Sequence, residues 1–276
     1  MPGRLHIVAT PLGNTGDCSP RAREILASAD VVLAEDTRRA GALFTRLGIA
    51  RKDGAGFISF HDHNEAERIP RILTGLAEGD QVAVISDAGT PLISDPGYRL
   101  VAACREQGFE VTPIPGPSAI TAALSAAGLP PLPFTFLGFL PRKSGQISRL
   151  LATHKETGCT LIFFERKSRL SETLALANEI LGSRPICIAR ELTKDFEEFI
   201  TGNLGALQEM QLDLKGEITV IIGPPEAGGV SSEAEVLEVL GEEREAGGKP
   251  KEIAHRATAR LRGFTAKMVY EMMRHS

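Results

Sequence analysis

Side chains that accept and donate protons follow three short apolar runs in the first hundred residues of the chain. The three segments are Glu35–Arg38, Ser59–Asn64 and Ser86–Gly97. A short β-branched run that ends in a carboxylate and a Gly/Pro loop is typical of a buried strand, and open α/β sheets bind ligands at that end of their strands. Together the three segments predict an active cleft along the carboxyl edge of one sheet.

The two histidines of the second segment, His61 and His63, flank Asp62 and raise the question of a metal site. Residues two apart on an extended chain face opposite ways, so this spacing does not favour shared coordination. The four cysteines are also far apart, with no C-x-x-C pair, at Cys18, Cys104, Cys159 and Cys187. We therefore predict no metal and treat His61 as a candidate for proton transfer.

Strand and helix patterns alternate through residues 5–114, which predicts an α/β domain with a largely parallel sheet. Asp95-Pro96 places a capping side chain before a proline and predicts that a helix starts there. Four prolines between residues 117 and 133 interrupt any regular element, and a second α/β unit follows. A Gly/Pro-rich stretch at 223–229 then leads to a helical tail. We expect two α/β domains, at residues 1–116 and 117–226, and a small helical, basic domain at residues 230–276.

The charge of the chain is small overall but uneven along the sequence. The formal net charge is −4, which gives no global sign of nucleic-acid binding. Residues 231–248 carry six acids and one base, whereas residues 249–276 carry seven bases and two acids. The basic end predicts contact with a polyanion, and a solvated basic helix face is the alternative interpretation.

The apolar segments of the chain are all short. None approaches the ~20 consecutive apolar residues that a membrane helix needs. The first residues, Met1–Arg4, lead directly into a strand pattern and lack the apolar core of a secretory signal. The sequence therefore predicts a cytoplasmic protein that does not enter a membrane.

Basic side chains at the ends of later strand patterns suit phosphate binding. Arg142 and Lys143 follow one strand pattern of the second unit, and Arg190 and Lys194 follow another. Such side chains position a nucleic acid by its phosphates. For Arg190, an ion pair with Glu191 that closes the strand is an equally good interpretation.

Seven segments, in this order, resemble those of a known family. They are Ala9–Asn14, Ala34–Arg38, Ser86–Gly97, Pro115–Ala119, Gly138–Lys143, Ala189–Lys194 and Gly216–Thr219. The set resembles the tetrapyrrole-methylase-like, class III S-adenosylmethionine methyltransferases. Within that family it is most similar to the branch that methylates the ribose 2′-hydroxyl of a cytidine in 16S rRNA of the small ribosomal subunit.

The resemblance implies a cofactor, a partner and contact residues. It implies S-adenosyl-L-methionine in the cleft between two α/β domains, a homodimer and no metal. The cofactor contacts it implies are Pro11, Leu12, Gly13, Asp87, Ala88, Gly89, Ser118, Ala119, Phe164, Ala189 and Thr219. With ribosomal RNA as the partner, the predicted RNA contacts are Arg38, Arg142, Lys143, Arg190, Lys194, Lys251, Arg256 and Lys267.

The chain departs from the family pattern in two places. Where relatives often have an aromatic-Glu-Ser-x-His-Arg sequence, this chain has Phe164–Arg169, without the serine and the histidine. In the signature loop, Leu92 stands where glycine is usual. Both changes lie in segments that the resemblance assigns to the cleft.

The implied reaction needs a group that takes the proton of the ribose hydroxyl, an effect usually worth ~10²–10⁴-fold in rate. Glu35, Asp36, His61 and Asp87 are the candidates, and the sequence does not choose among them. Two other functions stay open at this point. One is a corrin or porphyrinogen C-methyltransferase of the same fold, and the other is a non-catalytic RNA-binding factor in ribosome assembly.

Overall fold

The computed structural model describes residues 2–210, 212–225, 233–261 and 263–275. Contacts between residues divide the chain into two compact units, Met1–Gly223 and Pro224–Ser276. The first unit contains two five-stranded sheets, and the described part of the second is helical. The predicted linker at 223–229 lies outside the described residues from position 226 onward.

The first sheet is entirely parallel, as the alternating pattern predicts. Its strands are β1 (Arg4–Val8), β2 (Val31–Ala34), β3 (Gly56–Ser59), β4 (Gln81–Ile85) and β5 (Glu110–Ile114), in the spatial order β3-β2-β4-β1-β5. Its helices are α1 (Pro20–Ser28), α2 (Thr37–Leu47), α3 (Glu65–Glu78) and α4 (Tyr98–Glu106). Helices α1 and α2 pack on one face, around Val32, and α3 and α4 on the other, around Leu33. Because helices cover both faces of the sheet, the strand sequences are nearly continuous apolar runs.

The second sheet is mixed. Its strands are β6 (Phe134–Phe139), β7 (Thr160–Arg166), β8 (Pro185–Arg190), β9 (Glu198–Asn203) and β10 (Glu217–Ile222), in the order β6-β7-β10-β8-β9. Only β6 and β7 are parallel neighbours. Its helices are α5 (Ala119–Ala126), α6 (Ser144–Thr153) and α7 (Lys167–Leu181). Helix α5 covers one face and α6 and α7 the other.

Several helices begin at other residues than their patterns indicate. The apolar pattern predicts α6 at Arg149–Lys155 and α7 from Leu170, but they start at Ser144 and Lys167. Their first turns are polar, and periodicity marks only the residues that a helix buries. Helix α4 starts at Tyr98, as its pattern predicts, but the predicted cap is wrong, because Gly97 rather than Asp95 holds the N-cap position.

The second unit has three helices, α8 (Glu233–Glu245), α9 (Pro250–Arg260) and α10 (Ala266–His275). They bury a small apolar core around Val236, Leu240, Ile253, Ala257 and Val269. Across the ranges described, no helix is long and apolar enough to cross a membrane.

Candidate active site

Three cavities meet at the carboxyl edge of the first sheet, with volumes of about 760, 670 and 610 Å³. All three belong to the first unit. The 610 Å³ cavity is lined by loops of the first sheet and by residues of β7 and β10 of the second. Arg39 and Asp87 line all three. Their ion pair, with 2.8 Å between Nη1 and Oδ2, therefore marks the point where the cavities join.

Backbone hydrogen bonds fasten the loops that follow β1 and β4. The amide of Thr10 donates to the Gly89 carbonyl at 2.8 Å, and the Gly89 amide donates back at 3.0 Å. Gly89 has a φ of 80°, a conformation that glycine adopts without steric cost. The Thr90 hydroxyl donates to the Pro117 carbonyl at 3.0 Å and ties in the loop before α5. These bonds give the 610 Å³ cavity a wall of ordered backbone.

Most of the predicted cofactor residues lie together on that cavity. It is lined by Leu12, Asp87, Ala88, Gly89, Ser118, Ala119, Phe164 and Thr219. Pro11 and Gly13 line the 760 Å³ cavity instead. Ala189 lines none of the three cavities described, because its methyl group is packed in the core with Leu192. Its strand nevertheless pairs it with Thr219, which does reach the cavity.

The loop after β8 crosses to the loop after β1. The Asn14 amide donates to the Thr193 hydroxyl oxygen at 3.1 Å. A Cβ atom on Gly13 would lie 2.3 Å from Cγ of Lys194, so the lysine stem fills the space above this glycine. The Lys194 ammonium binds Glu191 at 3.0 Å and Glu217 at 3.1 Å. Burial lowers the pKa of Lys194, but the hydrogen bonds to these carboxylates outweigh it and raise the pKa.

Asp36, a predicted proton acceptor, serves as the N-cap of α2. Its carboxylate accepts the backbone amides of Arg38 and Arg39 at 2.8 and 3.4 Å. The Arg38 guanidinium also lies 3.1 Å from it, and these hydrogen bonds lower the pKa of Asp36. A carboxylate whose charge is compensated in this way is a weak base.

His61, another predicted proton acceptor, is held by Asn64. The Asn64 amide oxygen accepts the backbone N–H of His61 at 2.8 Å, and its nitrogen donates to the Ser59 carbonyl at 3.1 Å. That orientation places the Asn64 NH₂ group 3.2 Å from Nε2 of His61, so Nε2 already accepts a hydrogen bond from Asn64.

The segment from His61 to Asn64 is a turn, not an extended chain. It brings the His61 and His63 rings to 5.9 Å, so the expectation that they face opposite ways is wrong. In the described residues, no group of three or more His, Cys, Asp and Glu side chains is placed to hold a metal ion.

Asp95 is a carboxylate of the cleft that the sequence pattern assigns to a helix cap. It lines the 610 Å³ cavity together with Glu35 and Asp87. Burial, and then the negative charges of Glu35 and Asp87, raise the pKa of Asp95 to about 6. Its place in the signature loop Ser86–Gly97 is the sequence feature that points to the cleft. The proline that follows it is typical of a helix start and suggests a cap instead.

Strained backbone borders the same cavities. Among the described residues, only four that are not glycine have a positive φ: Leu92 (72°), Ser94 (70°), Glu191 (50°) and Thr193 (64°). The left-handed region costs such residues roughly 1–2 kcal/mol each, and strain of this kind clusters at functional sites. The leucine at the usual glycine position is therefore accommodated in the glycine conformation.

The predicted RNA contacts fall into two groups. Arg142 and Lys143 follow β6 and form no ion pair among the described residues. Arg190 binds Glu198 at 2.6 Å and Lys194 binds two carboxylates, so both are engaged within the second sheet. In the second unit, Lys251 and Lys267 are exposed.

Arg256, also predicted to contact RNA, is engaged inside the second unit. Its guanidinium binds the Glu243 carboxylate at 2.7 Å and donates to the carbonyls of Glu243 and Gly247 at 3.0 and 2.8 Å. Arg260 also pairs with Glu242 and Glu243. The acidic segment thus neutralises part of the basic one.

Comparison with known proteins decides the family. Residues 4–208 match the Tetrapyrrole (Corrin/Porphyrin) Methylases, a range that includes strands of both sheets. The chain belongs to this family.

Three curated relatives of this methylase carry the same name, Ribosomal RNA small subunit methyltransferase I. The relative from Mesorhizobium japonicum is 51% identical over 81% of this chain and 76% of its own length. The relative from Mycobacterium bovis is 43% identical over 99% of this chain and 95% of its own length. The relative from Escherichia coli O157:H7 is 46% identical over 80% of this chain and 77% of its own length.

Solved structures of the same fold are more distant. The methyltransferase CobJ superposes with a TM-score of 0.62 at 21% identity, covering 81% of this chain and 95% of that one. Diphthine synthase gives a TM-score of 0.63 at 15% identity, covering 80% of this chain and 90% of that one. At these identities the likeness shows the fold alone, which confirms the predicted fold class.

The departure of the methylase from its family pattern at Phe164–Arg169 leaves the buried glutamate and the arginine of that pattern in place. Glu165 is buried, accepts the Thr173 hydroxyl at 2.8 Å, and lies 3.6 Å from Arg169. Arg169 in turn donates to the carbonyls of Leu140 and Pro141. The intervening residues 166–168 are exposed at the start of α7. The retained glutamate and arginine therefore fix the β6 and β7 loops to each other, whereas Arg166, at the usual serine position, lines the 610 Å³ cavity.

Proposed function

We propose that this chain transfers a methyl group from S-adenosylmethionine to the ribose 2′-hydroxyl of a cytidine in 16S rRNA of the small ribosomal subunit. The observation that carries the proposal is the 43% identity to the M. bovis rRNA methyltransferase across 99% of the chain. Identity of that extent covers every loop of the cleft, so the activity named for the relative is expected here.

The 610 Å³ cavity fits the proposed methyl donor in size and chemistry. Pockets for small molecules are roughly 300–1,000 Å³, mostly apolar, with a few convergent polar groups. Leu12, Ile120 and Phe164 supply apolar walls, and Ser118 and Thr219 supply hydroxyl groups. S-adenosylmethionine supplies a methyl group that its positive sulfur has already activated. The loops then need to align the nucleophile and exclude water, which is worth roughly 7–11 kcal/mol of a barrier.

Basic and aromatic side chains beside this cavity suit a single-stranded RNA segment. Arg166 lines the cavity, and Arg142 and Lys143 follow the strand that ends at Phe139. The Phe139 side chain is 55% exposed and its ring centroid lies 5.4 Å from that of Phe164. Proteins read unpaired RNA by stacking bases on aromatic rings while cations hold the phosphates. We propose that the target strand enters here and reaches Arg38, which lines the 670 Å³ cavity.

The proposal extends to compartment and assembly. An enzyme that modifies ribosomal RNA works where ribosomal subunits are made, which in a bacterial cell is the cytoplasm. We also propose a homodimer, which the family resemblance implies and which exposed Leu132 and Phe134 beside the edge strand β6 support. Light scattering of the purified chain tests the dimer directly, and a monomer mass contradicts it.

One assay separates the candidate functions. The protein is incubated with radiolabelled S-adenosylmethionine and, in parallel, with undermethylated small subunits, free 16S rRNA and corrin precursors. We expect label at a cytidine 2′-oxygen, mapped by resistance of that ribose to alkaline cleavage. Label in the macrocycle would instead support the corrin methyltransferase. Failure to bind the donor in a calorimetric titration would support the non-catalytic assembly factor.

A further inference from the structure

The proton acceptors at the carboxyl edge of the first sheet differ in what already binds them. Asp36 caps α2 and holds Arg38, and Asp87 holds Arg39 at 2.8 Å. Asp95 has no cation within ion-pair distance in the described part of the chain, and it lies on the cavity that Gly89 and Ser118 also line. Among the described carboxylates that line this cavity, Asp95 and Glu35 are therefore the two without a cation partner, and of these Asp95 is the less exposed.

We propose that Asp95 accepts the proton of the ribose 2′-hydroxyl, an assignment that rests on the proposed function. In this step O2′ forms a bond to the methyl carbon while the sulfur–methyl bond breaks. The electron pair of the broken bond stays on sulfur, which becomes a neutral thioether, and the O2′ proton passes to the Asp95 carboxylate. The charges balance, because a sulfonium and a carboxylate become a thioether and a carboxylic acid.

The surroundings of Asp95 suit a base that works near neutral pH. Charged and polar groups face it from the first sheet, and others line the same cavity from the second. They are Glu35 after β2, Asp62 before α3, Asp87 with its partner Arg39, the Ser86 hydroxyl, and Glu165, Arg166 and Lys167 from the β7–α7 connection. Burial and the negative charges of Glu35, Asp87 and Asp62 raise the pKa of Asp95 to about 6, so it is ionised at pH 7 and still basic enough to take a proton.

Glu35 is the strongest competitor, because it lines the same cavity. It is exposed, however, whereas Asp95 is partly shielded from water. Glu35 instead acts through its negative charge, which helps to keep the pKa of Asp95 high. Replacement of Glu35 should therefore move the pH dependence of the reaction, and replacement of Asp95 should abolish it.

Single-turnover methyl transfer to undermethylated small subunits, measured from about pH 5 to about pH 9, tests the assignment. The wild-type rate is expected to rise with pH to a plateau, with a midpoint near 6. Asp95→Asn is expected to lower the plateau by ~10²–10⁴-fold and to flatten the profile, with donor affinity within about threefold of wild type by calorimetry. Glu35→Gln should keep a pH-dependent rate but shift its midpoint downward.

Two further variants sharpen the test. Asp17→Asn makes the same carboxyl-to-amide change at an exposed position after β1, outside the three cavities, and should retain the wild-type plateau. Asp95→Glu restores a carboxyl group and is expected to recover at least about tenfold of the loss, with a pH-dependent rate, which a merely structural role would not produce.

Each contrary outcome has a distinct meaning. Asp95→Asn with a rate within about threefold of wild type, or a loss matched by an equal loss of donor affinity, overturns the role of Asp95 alone. A wild type that binds the donor but transfers no label to small subunits or free rRNA overturns the proposed function, and the role of Asp95 with it.

Discussion

Asp36, Asp87 and Asp95 are three aspartates on one edge of a sheet, in three electrostatic states. Asp36 is hydrogen-bonded to a helix N-terminus, Asp87 is paired with an arginine, and Asp95 stands among like charges. Hydrogen bonds and cations lower a carboxyl pKa, whereas burial and neighbouring carboxylates raise it. Chemistry at this edge therefore depends on the partners of each aspartate and not on its residue type.

Asp95→Asn should make the protein more stable at neutral pH. The folded-state pKa of about 6 exceeds the ordinary value of 3.8, so the folded chain binds more protons between these pH values and its stability falls as pH rises through that window. The full shift corresponds to about 3 kcal/mol, and solvent screening of this partly exposed group reduces the expected gain to about 1 kcal/mol. Thermal melts should show a higher Tm for the variant at pH 8 and none of that gain near pH 4. An unchanged or lower Tm at pH 8 contradicts the raised pKa.

At the scale of elements, two loop contacts shape the cleft. The loop after β8 lies over the loop after β1, with the Lys194 stem above Gly13, and Arg169 of α7 holds the loop after β6. Neither contact forms between sequence neighbours. Both hold strand ends of the second sheet in fixed positions, which is what alignment of two reactants requires.

Gly13→Ala should weaken the contact between these loops. The added methyl group would lie 2.3 Å from Cγ of Lys194 and displace its ammonium from Glu191 and Glu217. We expect a loss of about 1–2 kcal/mol in unfolding free energy and weaker donor binding. Gly41→Ala is the control, because no atom lies within 4 Å of its added Cβ and alanine favours the helix by roughly 0.5–1 kcal/mol. Equal effects of the two substitutions on donor affinity would contradict the contact.

Phe139→Ala should weaken RNA binding. Stacking of a base on an aromatic ring is worth roughly 1–3 kcal/mol by alanine substitution, so the Kd for a single-stranded 16S rRNA fragment should rise about tenfold or more. Tyr98→Ala removes an exposed aromatic ring that lines none of the three cavities and should leave that Kd unchanged. Phe139 also lines the 610 Å³ cavity, so donor affinity is measured in both variants to separate a loss of RNA binding from a loss of donor binding. If the Kd for RNA rises equally in the two variants, Phe139 does not stack on the RNA.

At the scale of the whole molecule, a chain with a net charge of −4 must bind RNA through local surfaces. The second unit contributes fewer free cations than its composition indicates, because Arg256 and Arg260 are paired with Glu242 and Glu243. Its exposed lysines remain available for phosphate contact.

A double variant, Lys251→Gln with Lys267→Gln, should reduce RNA affinity without a change in Tm. Loss of two phosphate contacts should also lower the slope of log Kd against log salt by about 1.4–1.8. Arg256→Gln should do the reverse, lowering Tm because it breaks an ion pair and two carbonyl contacts while changing the salt slope little. A salt slope that falls with Arg256→Gln instead would assign the RNA contact to the arginine.

The sequence by itself determined the parallel first sheet, the family and a cluster of residues that line the 610 Å³ cavity. Apolar runs such as Val31–Ala34 and Val82–Ile85 encode strands locally, and in a parallel sheet the residues after them share one edge. Local pattern also misled, because Asp95 before a proline resembles a helix cap.

Only the tertiary structure decided which side chains are charged, paired or free in the cleft. Arg39 meets Asp87 across 48 positions and Asn14 meets Thr193 across 179, contacts that no local pattern contains. A carboxyl pKa depends on the charges and the solvent around it, and folding brings those together from several strands. For that reason the sequence identified the cleft, and the fold distinguished Asp95 from the other acids within it.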